Sequence, residues 1–169
     1  MKLKTTEKGF TLIELLVGIA ILAFVVGAAS MTVITMMRLS PQSNNWAIAL
    51  RQVQNAGYWI SRDVQSSNAV NTSPPSPKFL VFTIPTGPST SKQVEYEFEG
   101  SGNLKKLTRK DTGQTMMVAQ YIYYNPGDPD NSTKATYDST SRKLTFTTAA
   151  TSGKTTVTRQ YEATQRVPP

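Results

Sequence analysis

Lys8-Gly9-Phe10-Thr11-Leu12-Ile13-Glu14-Leu15-Leu16 opens the long apolar run of this 169-residue sequence. From Leu15 to Met37, 23 consecutive residues carry no formal charge. That is enough to span a bilayer core, which needs about 20. Lys2, Lys4 and Lys8 form a basic head in front of the run, and Glu14 stands at its mouth. A carboxylate within such a segment costs about 2.5–3.5 kcal/mol at mid-membrane and calls for a partner or a function. Two ordinary readings leave it unexplained. A secretory signal peptide would use Ala28-Ala29-Ser30 as its small-residue cleavage site, but the apolar run continues through Met31, Val33, Ile34, Met36 and Met37. A plain anchor with its basic side inside accounts for the length and not for Glu14.

The stretch from Lys8 to Leu16 resembles the processing site of type IV prepilins and type II secretion pseudopilins. The resemblance implies cleavage by a membrane peptidase between Gly9 and Phe10, followed by N-methylation of Phe10, with the apolar helix retained. It also implies that Glu14 meets the Phe10 amine of an adjacent subunit and sets its register. Within one processed chain the two groups would lie one helical turn apart, at i and i+4. Glu14 also lies near enough to the helix start to reach the headgroup region before assembly.

Composition narrows the function. Removing residues 1–9 takes away three lysines and one glutamate, lowering the formal charge from +7 to +5. There is no cysteine, hence no disulfide framework and no thiol chemistry. Histidine is absent too, which removes the usual general base and every Ser-His-Asp or Cys-His arrangement. The sequence is read as that of a non-enzymatic protein that needs no cofactor. Its length fits one modest globular domain plus an anchor.

Four segments are expected: a leader at 1–9, a membrane or filament-core helix at 10–37, an amphipathic helix at 38–72 and a β-rich head at 73–169. Ser40-Pro41 predicts a kink or short break around residues 38–41, with Ser40 as the N-cap of a second helical stretch to about Ala69. Trp46, Leu50, Val53, Gly57, Ile60 and Val64 recur at spacings of four and three, widened by Ala49 and Ala56. That is the stripe of an amphipathic helix laid on a core. Ile48 and Trp59 fall off the stripe on a second face, where they are a candidate packing spot for a neighbouring subunit's helix.

Beyond Pro74, Pro75 and Pro77 the period changes to that of strands. Phe79–Ile84, the alternation of Val94, Tyr96 and Phe98 with Glu95, Glu97 and Glu99, then Leu104–Thr108 and Thr115–Tyr124 follow. Lys143–Thr148 and Thr155–Tyr161 read as a terminal hairpin. About six antiparallel strands packed on a helix are expected, an α+β fold with the acids of the second strand facing water. A four-residue turn at Gly100–Asn103 would place Glu97 opposite Lys106. The basic run Lys105, Lys106, Arg109 and Lys110 is then neutralised locally, and no nucleic-acid interface is expected from it. Asp128, Asp130 and Asn131 invite a calcium reading. They fail the EF-hand pattern, since Thr133 and Ser139 stand where glycine and glutamate are needed, so no metal site is assigned.

Leader, long helix and β head in this order resemble the type IV pilin architecture. Ala56, Gly57, Trp59, Ile60, Arg62, Asp63 and Val64, with Phe79–Phe82, Val94–Tyr96 and Leu104–Lys106, are similar to the J-type minor pseudopilin and to the W-type minor pilin. The absence of a proline near residue 31 and of a cysteine pair departs from many major pilins. The resemblance implies a minor subunit of a secretion pseudopilus or pilus. Its partners would be the prepilin peptidase/methyltransferase, other subunits, an inner-membrane assembly platform and, before assembly, membrane lipid. The rival expectation is a membrane-anchored or secreted β-domain that binds a ligand, with residues 1–30 an ordinary signal.

Overall fold

The computed structural model describes residues 9–166. The basic head of the leader, Lys2, Lys4 and Lys8, lies outside the described residues. One helix, α1, runs from Leu12 to Ser66 over 55 residues. The expected break at residues 38–41 is absent: Pro41 lies inside the helix. A proline removes its own bond to the carbonyl four residues back and crowds that carbonyl, and the long helical stretches on both sides carry the helix across this local penalty. The chain still divides at this point, into one compact unit ending at Pro41 and a second beginning at Gln42.

In the first unit the helix is apolar on every side from Leu15 to Met37 and exposed along that run. It is long and apolar enough to cross a membrane. Three of its hydroxyls are satisfied within the helix. Ser30 Oγ, Thr32 Oγ1 and Thr35 Oγ1 each donate to the carbonyl four residues earlier, at 2.8, 3.1 and 2.8 Å. Such back-bonding leaves none of these three donors unpaired in an apolar medium.

In the second unit the helix is one-sided, as its spacing predicts. Ala49, Val53, Ala56, Gly57, Ile60 and Val64 are buried and Leu50 is half-buried. Trp46, the first residue of the expected stripe, is instead exposed. The helix stops at Ser66 rather than Ala69. Ser67 caps it, its N and Oγ both donating to the Val64 carbonyl at 3.1 and 2.9 Å.

Eight strands follow: β1 (Ala69–Asn71), β2 (Lys78–Gly87), β3 (Thr90–Glu99), β4 (Leu104–Asp111), β5 (Gln114–Tyr123), β6 (Lys134–Asp138), β7 (Lys143–Ser152) and β8 (Thr155–Thr164). All pairings are antiparallel, in the order β1-β2-β3-β4-β5-β7-β6, with β8 also on β7. β1 and β6 add to the expected six. The β4–β5 turn places Thr112 and Gly113 at φ of 46° and 83°, the two left-handed positions of a tight two-residue hairpin.

The β3–β4 register differs from expectation by two residues. Glu97 lies opposite Thr108, and Lys106 opposite Glu99, because the connection absorbs two more residues than a minimal four-residue turn. Glu97 is also buried rather than facing water. It stands between Lys78 and Thr108 in register and accepts from Lys110 Nζ at 2.5 Å.

The sheet has a seam. β5 meets β7 at a single pair, Ile122 with Ala150. Beside the seam, two polar side chains of α1 replace a neighbouring strand. Asn55 Nδ2 donates to the Val118 carbonyl at 2.8 Å, and the Gln120 N–H donates to Gln52 Oε1 at 2.8 Å. Backbone polar groups left unpaired under a helix are costly, so these two residues let the helix cross the seam.

The core closes over Tyr96, Phe82, Phe146, Leu80, Leu107 and Leu144. Gly57 is fixed by packing: a Cβ there would lie 2.4 Å from the Tyr161 ring. The Tyr161 hydroxyl donates to the Val53 carbonyl at 3.3 Å, pinning β8 to the helix at the point where the side chain is missing.

Candidate functional site

Gly9 and Phe10 precede the helix without regular structure, and Phe10 is 87% exposed. The Gly9–Phe10 peptide bond therefore lies in irregular, accessible chain just before the first helical residue, Leu12. Thr11 then caps the helix. Its N–H and its hydroxyl both donate to Glu14 Oε2, at 3.0 and 2.9 Å. The Glu14 N–H points back at Thr11 Oγ1 at 3.4 Å. This reciprocal pattern is a capping box, Thr-x-x-Glu, in which two of the four orphan N–H groups of a helix start are satisfied. A negative charge in the first turn also complements the helix dipole.

The resemblance implies the Phe10 amine as the partner of Glu14 and leaves Thr11 without a role. Yet the signal was present, a threonine three residues before a glutamate at the head of an apolar run. In the unprocessed chain the Phe10 nitrogen is an amide and carries no charge. The capping box gives Glu14 a set of donors that does not depend on that amine.

Residues 4–30 match the family model for the prokaryotic N-terminal methylation motif. The chain carries a prepilin-type amino terminus. The motif takes in the Gly9–Phe10 junction, the Thr11–Glu14 cap and the helix as far as Ser30, and it supports the type IV pilin and pseudopilin family. One long amino-terminal helix followed by an antiparallel sheet is the layout that family implies. No curated protein and no solved structure is matched by the chain. The motif does not separate a J-type pseudopilin from a W-type minor pilin.

In the second unit, polar chemistry concentrates where α1 meets β3 and β4. Asp63, buried on the helix, receives Arg109 Nε on Oδ2 at 2.7 Å and Arg109 Nη2 on Oδ1 at 3.0 Å. The Tyr96 hydroxyl donates to the same Oδ2 at 2.6 Å. Arg109 Nη1 reaches Asp111 Oδ2 at 3.1 Å, which Lys92 Nζ also meets at 2.8 Å. The side chains of Asp63 and Arg109 are only 5% and 12% exposed, so each depends on the other. Burial and the Asp63 carboxylate push the Tyr96 hydroxyl far above the ordinary phenol range. The hydrogen bonds to Asp63 hold Arg109 above its usual value. Lys92, with Thr112 and Arg109, draws Asp111 down from 3.8 to about 2.

Trp59 belongs to this cluster. It packs against the core, with the Arg62 and Arg109 guanidiniums 5.1 and 5.5 Å from its ring centroid and Tyr58 edge-on at 5.6 Å. Ile48 is half-buried, three turns away along the helix. The basic run is dispersed: Arg109 and Lys110 are in ion pairs, Lys105 Nζ donates to the Gly100 carbonyl at 2.7 Å, and Lys106 faces Glu99 across the sheet. In the 125–133 loop, Asn131 Nδ2 donates to both oxygens of Asp128 at 3.2 and 3.3 Å, and Asp130 lies 4.0 Å from Lys134. Among the described residues no three acidic or other metal-ligating side chains cluster.

Proposed function

We propose that this chain is a minor pilin or pseudopilin, made as a membrane-anchored precursor. It is cut between Gly9 and Phe10, methylated on Phe10 and packed through its amino-terminal helix into a filament of a type II secretion system or type IV pilus. The role is structural. The observation that carries the reading is the accessible Gly9–Phe10 junction followed at once by the Thr11–Glu14 capping box at the head of an exposed apolar helix, within a matched methylation motif. The helix offers apolar area on all sides, for lipid before assembly and for other helices after it. Glu14 supplies the polar contact that fixes register, meeting the Phe10 ammonium of an adjacent subunit once cleavage has created it. The peptidase/methyltransferase, other subunits and an inner-membrane assembly platform are its partners.

Ile48 and Trp59 are proposed as a lesser helix-packing contact, through the half of each side chain that the head leaves uncovered. Co-assembly of a Trp59→Ser variant tests it; unchanged incorporation removes the contact. For the main reading, Glu14→Ala should be cleaved and methylated as the wild type is, yet fail to enter filaments in a host with the cognate machinery. Normal incorporation of that variant would refute the docking role.

A further inference from the structure

A cleft of about 390 Å³ opens where α1 faces β3, β4 and β5, walled by Trp59, Arg62, Asp63, Lys92, Arg109 and Asp111. Its hydrogen bonding is unbalanced. Every carboxylate oxygen in the wall is already occupied. Asp63 Oδ1 and Oδ2 hold Arg109 and Tyr96, Asp111 Oδ2 holds Lys92 and Arg109, and Asp111 Oδ1 takes the Thr112 hydroxyl at 2.7 Å. The cations are not exhausted. Arg109 uses three of its five N–H donors and Lys92 one of three. Arg62 is exposed and has no acidic partner among the described residues, its guanidinium lying over the Trp59 ring. Three cations against two carboxylates leave one uncompensated positive charge beside unspent donors. Stacking on the indole restrains the fork that would be offered to a ligand.

We propose that this cleft binds a carboxylate, the acidic side chain of a different protein, with Arg62 as the principal contact. A planar carboxylate matches a guanidinium fork in shape and a surplus of one positive charge in magnitude. A nucleic-acid backbone needs several cations in a row, and the cleft has one to spare. A second copy of this chain is a poor source of the acid. Six of the nine carboxylates beyond Glu14 are already in ion pairs with its own bases, and the chain from Phe10 onward carries a formal +5. The partner is therefore an unlike, acidic protein. It rests on the assembly reading only in that such a partner would be met within a filament; binding in solution is measured without assembly, so either can fail alone.

The test uses the full chain in zwitterionic detergent micelles with Trp46→Phe, which leaves Trp59 as the reporting indole. A capped triglutamate peptide should change Trp59 fluorescence saturably, more weakly at about 0.5 M than at 0.1 M salt. A capped triglutamine peptide should not change it. Arg62→Gln, at an exposed position and checked for unaltered near-ultraviolet dichroism, should weaken binding roughly tenfold, the scale of one charge-assisted hydrogen bond. Arg62→Lys should fall between. No saturable response, or equal affinity in Arg62→Gln, would overturn the site. Inorganic phosphate binding as tightly as triglutamate would overturn its assignment to a protein carboxylate.

Discussion

The helix before Pro41 and the unit from Gln42 onward are built on opposite terms. In the first, Phe10, Leu12, Phe24 and Met31 are among many large apolar side chains that stand exposed among the described residues. Its order comes from backbone bonds, back-bonded hydroxyls and one cap. In the second, the same helix buries a stripe of small and branched residues under a sheet and adds a buried ion pair. One region is complete by itself. The other presents an exposed apolar surface, and apolar burial is worth about 25 cal/mol per Å². Packing of the fold and exposed apolar surface are thus held in separate stretches of one helix.

The contrast is sharpened by substitutions that should strike one region and spare the other. Asp63→Ala strands Arg109 and Tyr96 and should cost the second unit about 3–5 kcal/mol, as removal of one partner from a buried pair does. Urea unfolding followed by near-ultraviolet dichroism measures it, and a loss below about 1 kcal/mol would mean that the pair is solvated. Gly57→Ala drives a methyl into Tyr161 and should cost about 1–3 kcal/mol by overpacking. Pairing it with Tyr161→Ala should recover part of that loss. Thr11→Ala belongs to the other region. It should lower helix-start stability by about 1 kcal/mol, seen as faster amide exchange at residues 12–15 in micelles, with urea unfolding of the head unchanged.

The smallest effect is a pH dependence. Asp111 titrates at about 2 in the fold against an ordinary 3.8. Its contribution is therefore complete above pH 3.8 and lost as pH falls toward 2. Thermal unfolding between pH 5 and 2 should show a decline that is shallower in Asp111→Asn.

Much of this was legible in the residues. The spacing from Ala49 to Val64 located the buried helix face, and alternation located the long strands. β1 and β6 were not visible, because three and five residues of mixed polarity carry no periodic signal of their own and are held by longer neighbours. The β3–β4 register depended on how a glycine-rich turn folds, which side-chain alternation does not specify beyond even steps. Pro41 predicted a kink or short break, and the helix is not interrupted there, since the turns on either side outweigh the local penalty. Asp63 was visible as an acid among apolar residues of the stripe, but its partner Arg109 lies 46 positions away, and only the sheet brings them together. For the same reason the seam residues Gln52 and Asn55 read as ordinary exposed polar positions.

In the proposed function the Gly9–Phe10 bond is the processing point and the apolar helix survives it. Mass spectrometry of the mature chain, isolated from a host with its prepilin peptidase, tests this most directly. The expected chain begins at Phe10 and carries one methyl group on its amino nitrogen. A chain that begins at Met31, with the helix before it removed, would contradict it.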